Sequence, residues 1–163
     1  MGDAASLRTV RADALDFHEI AFGSDEYKQT CELRNEVLRL PLGLNLYSED
    51  LQQEKEQLHF GLFDHCNELI ACVIAVLQGS GKAKLRQMAV KAGYEGRGAG
   101  RRLLLSVEAL LVARGVTQLS LHARISAAGF YEKLGYVYSG APFVEVGIPH
   151  IRMEKQQQSL NKP

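Results

Sequence analysis

The pattern of polar and apolar positions along this chain changes period several times, and glycine, proline or a helix-capping side chain marks most of the changes. Leu15 to Phe22 reads as a first strand, after which Ser24 supplies an N-cap for a helix running to about Leu38. Pro41 and Gly43 end that helix and begin a loop, and a short helix over Glu49 to Gln57 follows, its surface mostly charged and amide. His59 to Asp64 and Leu69 to Leu77 are strand-like runs separated by His65 to Glu68, a spacing that predicts a hairpin. In the next run, Lys84 to Val90, the pleat puts Arg86, Met88 and Val90 on one face and Leu85, Gln87 and Ala89 on the other. From Gly98 the spacing turns helical. Leu103, Val107, Leu110 and Leu111 form a stripe that must pack on a sheet, and Gly115 stops the helix after Arg114. Gln118 to Ala123 returns to strand, and Phe143 to Ile151 reads as an edge strand that could pair with a second copy of the chain or close the sheet. A strand-rich first half followed by alternating helix and strand predicts a mixed α/β sheet, parallel where the Gly98 to Arg114 helix crosses between strands.

Composition narrows the class. With 163 residues, 46% apolar and 23% charged, the chain is the size of one ordinary domain. The expected layout is a loose N-terminus over residues 1–10, a folded domain over 11–155 and a polar tail over 156–163. Lys plus Arg equals Asp plus Glu at 19 each, so bulk charge gives no case for nucleic acid or an anionic membrane as partner. No apolar run reaches the ~18 residues of a membrane span. Cys31, Cys66 and Cys72 are odd in number and lack C-x-x-C spacing, which points to no metal site and to a reducing, cytoplasmic setting.

The chemistry concentrates between Leu85 and Leu111, where a strand breaks into a glycine-rich turn that opens directly into a helix. Gly96, Gly98 and Gly100 alternate with Arg97, Ala99 and Arg101, so backbone N–H groups at a helix N-terminus and flanking guanidinium groups face the same turn. A diphosphate suits such a cradle. A P-loop would need Lys then Ser or Thr after its last glycine, where Arg101 and Arg102 stand. A dinucleotide fingerprint would need a carboxylate about 20 residues on, where the strand ends in His122, Ala123 and Arg124. A plain tight turn and helix start stays open on the glycines alone.

The turn, the helix ending at Arg114 and Gly115, the strand QLSLHA and the run ISAAGFYEKLGY together resemble the GNAT superfamily of N-acetyltransferases, over about His59 to Glu154. The first position of that family's Q/R-x-x-G-x-G/A pattern is Glu95 here, a departure that leaves the N–H cradle intact. The resemblance implies a single-domain, mostly antiparallel mixed sheet with helices on both faces and a splayed central strand pair that takes acetyl-CoA as co-substrate. Met88, Ala89 and Val90 would pair with the pantetheine arm, and Gly96, Arg97, Gly98, Ala99, Gly100 and Arg101 would hold the pyrophosphate. Four shorter segments, Glu32 to Pro41, Leu85 to Val90, His122 to Tyr136 and Gly147 to Lys155, are similar to the glyphosate N-acetyltransferases. Matched segment by segment, substrate-binding arginines fall on Arg39, Arg86 and Arg124, the catalytic histidine on His150, and the tyrosine near the sulfur on Tyr131.

Acetyl transfer needs a neutral amine, a group to take its proton, donors for the developing oxyanion and a partner for the leaving thiolate. By resemblance these are His150, the backbone N–H near Met88, and Tyr131. Strand alternation makes His122, on the face of Arg124, the next candidate base. Nearby arginine charge would keep the histidine neutral and basic. If the arginines converge, their forked donors favour a small amine bearing a carboxylate or phosphonate. Local pairing of Arg39 with Glu36, or of Arg124 with Glu145, is the competing expectation. A peptide acetyltransferase and a non-catalytic acetyl-CoA-binding module are the alternative functions.

Overall fold

A computed structural model of the chain describes residues 14–158. The N-terminal stretch 1–10 and the last part of the expected tail, 159–163, lie outside the described residues. The described strands are β1 (Asp16–Ile20), β2 (Leu58–Phe63), β3 (Leu69–Gly79), β4 (Lys82–Val90), β5 (Gln118–Arg124), β6 (Val137–Tyr138), β7 (Phe143–Glu145) and β8 (Ile148–Gln156). The α-helices are α1 (Asp25–Arg34), α2 (Ala99–Ala113) and α3 (Ala128–Lys133). The strands hydrogen-bond in the order β1-β2-β3-β4-β5-β8-β6, with β7 on β8. β4 and β5 run parallel, while β1–β2, β5–β8, β6–β8 and β7–β8 are antiparallel. This is the mixed, mostly antiparallel α/β sheet expected from the sequence. Among the described residues, contacts gather in two compact units, one up to Val73 together with Gln87–Ser106, the other Ile74–Arg86 together with the chain from Val107 on.

In the first unit, Ser24 caps α1 as its sequence position implies. Its Oγ accepts the Tyr27 N–H at 3.1 Å, and Asp25 and Glu26 place negative charge at the positive end of the helix. The α-helix gives way at Arg34 rather than running to Leu38. A π-helical turn covers Asn35–Arg39 and a 3₁₀ turn covers Leu40–Leu42, ended by Gly43 at φ +72°. Pro41, which has no N–H to continue the ladder, and Gly43 end the helical run there. The Asn35 side chain accepts the Leu46 N–H at 2.8 Å and ties down the following loop. Where one short helix was expected over Glu49 to Gln57, 3₁₀ segments occupy Leu46–Ser48 and Leu51–Glu56. The Tyr27, Cys31 and Leu33 side chains of α1 pack with Ile20, Leu46, Phe63, Leu69, Cys72 and Ala89. The turn after β2 is held by Asp64, whose Oδ1 accepts the N–H groups of Cys66 and Glu68.

In the second unit, β5 and β8 pair in register from Gln118 with Gln156 to Arg124 with His150. One face carries buried Leu119, Leu121 and Ala123 beside Ile151 and Met153. The other carries Ser120, His122 and Arg124 beside Glu154, Arg152 and His150, as period-two alternation requires. Glu108 of α2 is buried and held from both sides: Tyr136 Oη donates to it at 2.6 Å and Lys155 Nζ at 2.9 Å. The expected edge strand over Phe143 to Ile151 is instead a hairpin. Val146 and Gly147 both take positive φ, +46° and +77°, which reverses the chain in a two-residue loop. β8 then lies between β5 and β6 as an inner strand.

Candidate active site

The residues expected to hold the cofactor, Met88 to Val90 and Gly96 to Arg101, lie in the first unit. β4 does not run flat through it: Gln87 has φ +52°, the left-handed region that costs a non-glycine residue roughly 1–3 kcal/mol and persists where neighbours enforce it. The simple alternation expected over Lys84 to Val90 is therefore broken at Gln87, whose side chain reaches Arg34. Beyond it Ala89 is buried, while Met88 and Val90 are half-buried. The chain then turns through Gly93, Gly96 and Gly98 at φ +94°, +70° and +88°. A Cβ at Gly96 would meet no atom within 4 Å, so that position is held to glycine by its backbone angle rather than by space. The Arg102 N–H reaches the Gly98 carbonyl at 2.9 Å, closing the first turn of α2. Helix geometry leaves the N–H groups of Ala99, Gly100 and Arg101 without an intrahelical acceptor, and Arg97 and Arg101 stand exposed beside them. These are the parts of an anion cradle.

Arg39, at the end of the π-helical turn, is also in this unit. Its Nε donates to Glu49 at 2.7 Å and a terminal nitrogen donates to the Leu38 carbonyl at 3.2 Å. The carboxylate that holds it is Glu49, not the expected Glu36.

His150, Tyr131, Arg124 and Arg86 lie in the second unit. Arg124 is directly opposite His150 in the β5–β8 ladder. His150 is buried, and its Nδ1 is 2.8 Å from the Ile148 carbonyl oxygen. A carbonyl only accepts, so Nδ1 carries a proton, and Nε2 is the ring nitrogen left to exchange one. That Nε2 lies 3.7 Å from Glu145 Oε2. The other Glu145 oxygen accepts from His122 Nδ1 at 3.0 Å, and the Phe143 ring lies against both histidines. Although burial alone would raise it, the Glu145 carboxyl is held below its ordinary range, first by the His122 hydrogen bond and then by its electrostatic interaction with His122, His150 and Lys84. His122 is thus committed to Glu145.

Burial pushes the Tyr131 phenol up to about 12, with the nearby Arg124 charge working the other way, so the group stays protonated at neutral pH. On β4, Lys84 pairs across from Ser120, and Arg86, two residues on, continues the same polar face. Burial, followed by the charges of Arg86 and Arg152 against that of Glu145, lowers Lys84. Arg124 and His150 therefore lie opposite each other, with Arg86 on the same sheet face, and Tyr131 is near enough to feel the Arg124 charge. Sequence reading passed over Lys84, Arg152 and Gln87. Lys84 and Arg152 were accessible through period-two counting from Arg86 and His150, whereas a left-handed glutamine leaves no sequence mark.

Among the described residues, no cluster of three or more His, Cys, Asp or Glu side chains is placed to hold a metal ion, and no helix is long and apolar enough to cross a membrane. The sequence profile of the acetyltransferase (GNAT) domain matches residues 43–157. The uncharacterized protein YyaT of Bacillus subtilis is 35% identical over 102 residues, covering 63% of this chain and 68% of that protein. A candidate N-acetyltransferase from Lactobacillus plantarum superposes with a TM-score of 0.80 at 23% identity, over 89% of this chain and 99% of that one. A GNAT family acetyltransferase from Elizabethkingia anophelis with acetyl-CoA bound superposes with a TM-score of 0.68 at 17% identity, over 88% and 99%. The chain belongs to the GNAT acetyltransferase family. It is an acetyl-CoA-dependent N-acetyltransferase.

Proposed function

We propose that the acceptor is a small amine bearing a carboxylate or phosphonate, acetylated by direct attack on acetyl-CoA. The observation that carries this reading is the arginine opposite the base: Arg124 faces His150 in register, and Arg86 and Lys84 extend the same face with positive charge, while Arg152 beside them is paired with Glu154. Such a face attracts an anionic group beside the reacting amine and repels lysine-rich peptides. The similarity of four segments to the glyphosate N-acetyltransferases supports the same acceptor class. Arg39, already held by Glu49, contributes least to acceptor binding in this reading.

The neutral amine attacks the thioester carbonyl, forming a C–N bond, and the backbone N–H near Met88 donates to the resulting oxyanion. His150 Nε2 takes the amine proton. The C–S bond then breaks, giving the N-acetyl product and the CoA thiolate, which receives the proton from His150 or solvent. Tyr131 is a weaker acid, at about 12, than an ordinary thiol at about 8.5. Its role is therefore to hydrogen-bond the departing sulfur while keeping its own proton.

The test is thiol release from acetyl-CoA with acidic, neutral and basic primary amines. Turnover should be confined to acidic amines. His150→Ala should lower kcat by about 10²- to 10⁴-fold, and Arg124→Ala should act mainly on the acceptor KM. A preference for basic peptides, or acetyl-CoA binding with no amine turned over, would refute the reading.

A further inference from the structure

The left-handed Gln87 sits at the end of a buried chain of hydrogen bonds that the acetyl-transfer chemistry above does not use. Arg34, the last residue of α1, is fully buried. Its Nε donates to Gln87 Oε1 at 2.7 Å, and its two terminal nitrogens grip Glu54 at 2.9 and 2.5 Å. Tyr27 Oη donates to the same Glu54 carboxylate at 2.7 Å. Burial works against the Arg34 charge, and the Glu54 carboxylate more than offsets it. The guanidinium is therefore a fixed cation with its geometry set on two sides, one carboxylate behind it and one amide in front.

We infer that Arg34, Glu54 and Tyr27 are positioning residues whose output is the backbone of Gln87, and through it the direction of the N–H groups that follow at Met88 and Ala89. A glutamine at φ +52° would relax toward an ordinary strand angle if nothing held it, and that relaxation would rotate the next peptide plane. The side-chain lock from Arg34 opposes the relaxation. A residue at the end of α1 thereby acts on the thioester without touching it. The inference rests on the reading that a β4 N–H receives the acetyl carbonyl.

Two mild substitutions isolate the lock. Gln87→Asn tolerates the left-handed backbone but is one methylene too short to keep the Arg34 bond, whereas Gln87→Val opposes the left-handed angle itself. Arg34→Ala leaves Glu54 buried with its guanidinium gone and is at risk of not folding, so the Gln87 pair carries the test, with thermal unfolding confirming the fold. The readouts are kcat, KM for acetyl-CoA, and calorimetric affinity for acetyl-CoA and for CoA, which lacks the acetyl carbonyl. We expect kcat to fall about 10-fold in Gln87→Asn and on the order of 100-fold in Gln87→Val, the size of losing one oxyanion donor. Affinity for CoA should stay within about threefold, while the preference for acetyl-CoA over CoA is lost. Parent-like kcat and a parent-like preference in both variants would overturn the inference. If the parent acetylates no acidic amine, the acceptor reading falls, and the acetyl-CoA to CoA preference still decides the role of the network.

Discussion

Replacing Lys155 with methionine isolates the energetic role of the buried contact between α2 and β8. Glu108 is 4% exposed and has one partner on each oxygen, Lys155 Nζ at 2.9 Å and Tyr136 Oη at 2.6 Å. Lys155→Met keeps much of the stem that packs beside Gly135 but leaves a buried carboxylate with only a phenol to answer it. Breaking a buried ion pair from one side costs about 3–5 kcal/mol, a large part of the 5–15 kcal/mol that holds a domain together. Tyr136→Phe removes the other bond and keeps the ion pair, so its cost is that of one hydrogen bond to a charged group, about 1.5–3 kcal/mol. Converting both partners of the ion pair, Lys155→Met with Glu108→Leu, removes the stranded charge and should recover most of the single-variant loss. Urea unfolding followed by far-ultraviolet circular dichroism gives all four free energies, provided the slope with denaturant is unchanged. A Lys155→Met cost below about 1 kcal/mol, or a double variant no more stable than the single one, would refute the assignment of Glu108 as a charge that depends on Lys155.

Tyr131→Phe should lower kcat by about 10- to 100-fold with little change in either KM, in keeping with a donor that acts only as the thiolate leaves. Because the phenol titrates near 12, the parent pH–rate profile should show no fall from this group between pH 8 and about 10, and a fall there that vanishes in Tyr131→Phe would contradict the assignment. Glu145 is held low in the fold, so its contribution to stability is present above the unfolded carboxylate range of about 4.3 and is lost as pH falls below it. Glu145→Gln should flatten the stability curve between about pH 5 and 3, and thermal unfolding across that interval would show an unchanged slope if the carboxylate carries no such linkage.

The elements and the site were legible to different depths. Ser24, Gly98 and Gly115 mark helix ends through local backbone chemistry that a few residues determine, and the structure places α1 and α2 accordingly. The stripe on α2 was readable as well, with Leu103, Val107 and Leu111 buried, although Leu110 is only partly covered. Turn chemistry was the weaker signal. Nothing local marks the π-helical turn at Asn35–Arg39, and Val146, a β-branched residue at positive φ, gives no warning of the hairpin that splits Phe143 to Ile151. Strand alternation was enough to put Arg124 and His122 on one face. The pairing of Arg124 with His150 depends on β8 reaching β5 across 26 positions of sequence, and the pairing of Arg34 with Gln87 joins positions 53 apart. Tertiary contacts of that kind leave no local pattern to read.

The two faces of the β5–β8 ladder give the protein a natural division between what can change and what cannot. Leu119, Leu121, Ala123, Ile151 and Met153 are buried on one side, and the residues between them look the other way. His122 and Arg152, with Lys84 on the neighbouring β4, can therefore be exchanged as a set without opening a gap in the packed side. On the acceptor reading proposed above, related sequences would turn to amines of different charge by changing along that face while the turn that opens α2 stayed the same. For a laboratory library the same three positions are the place to begin.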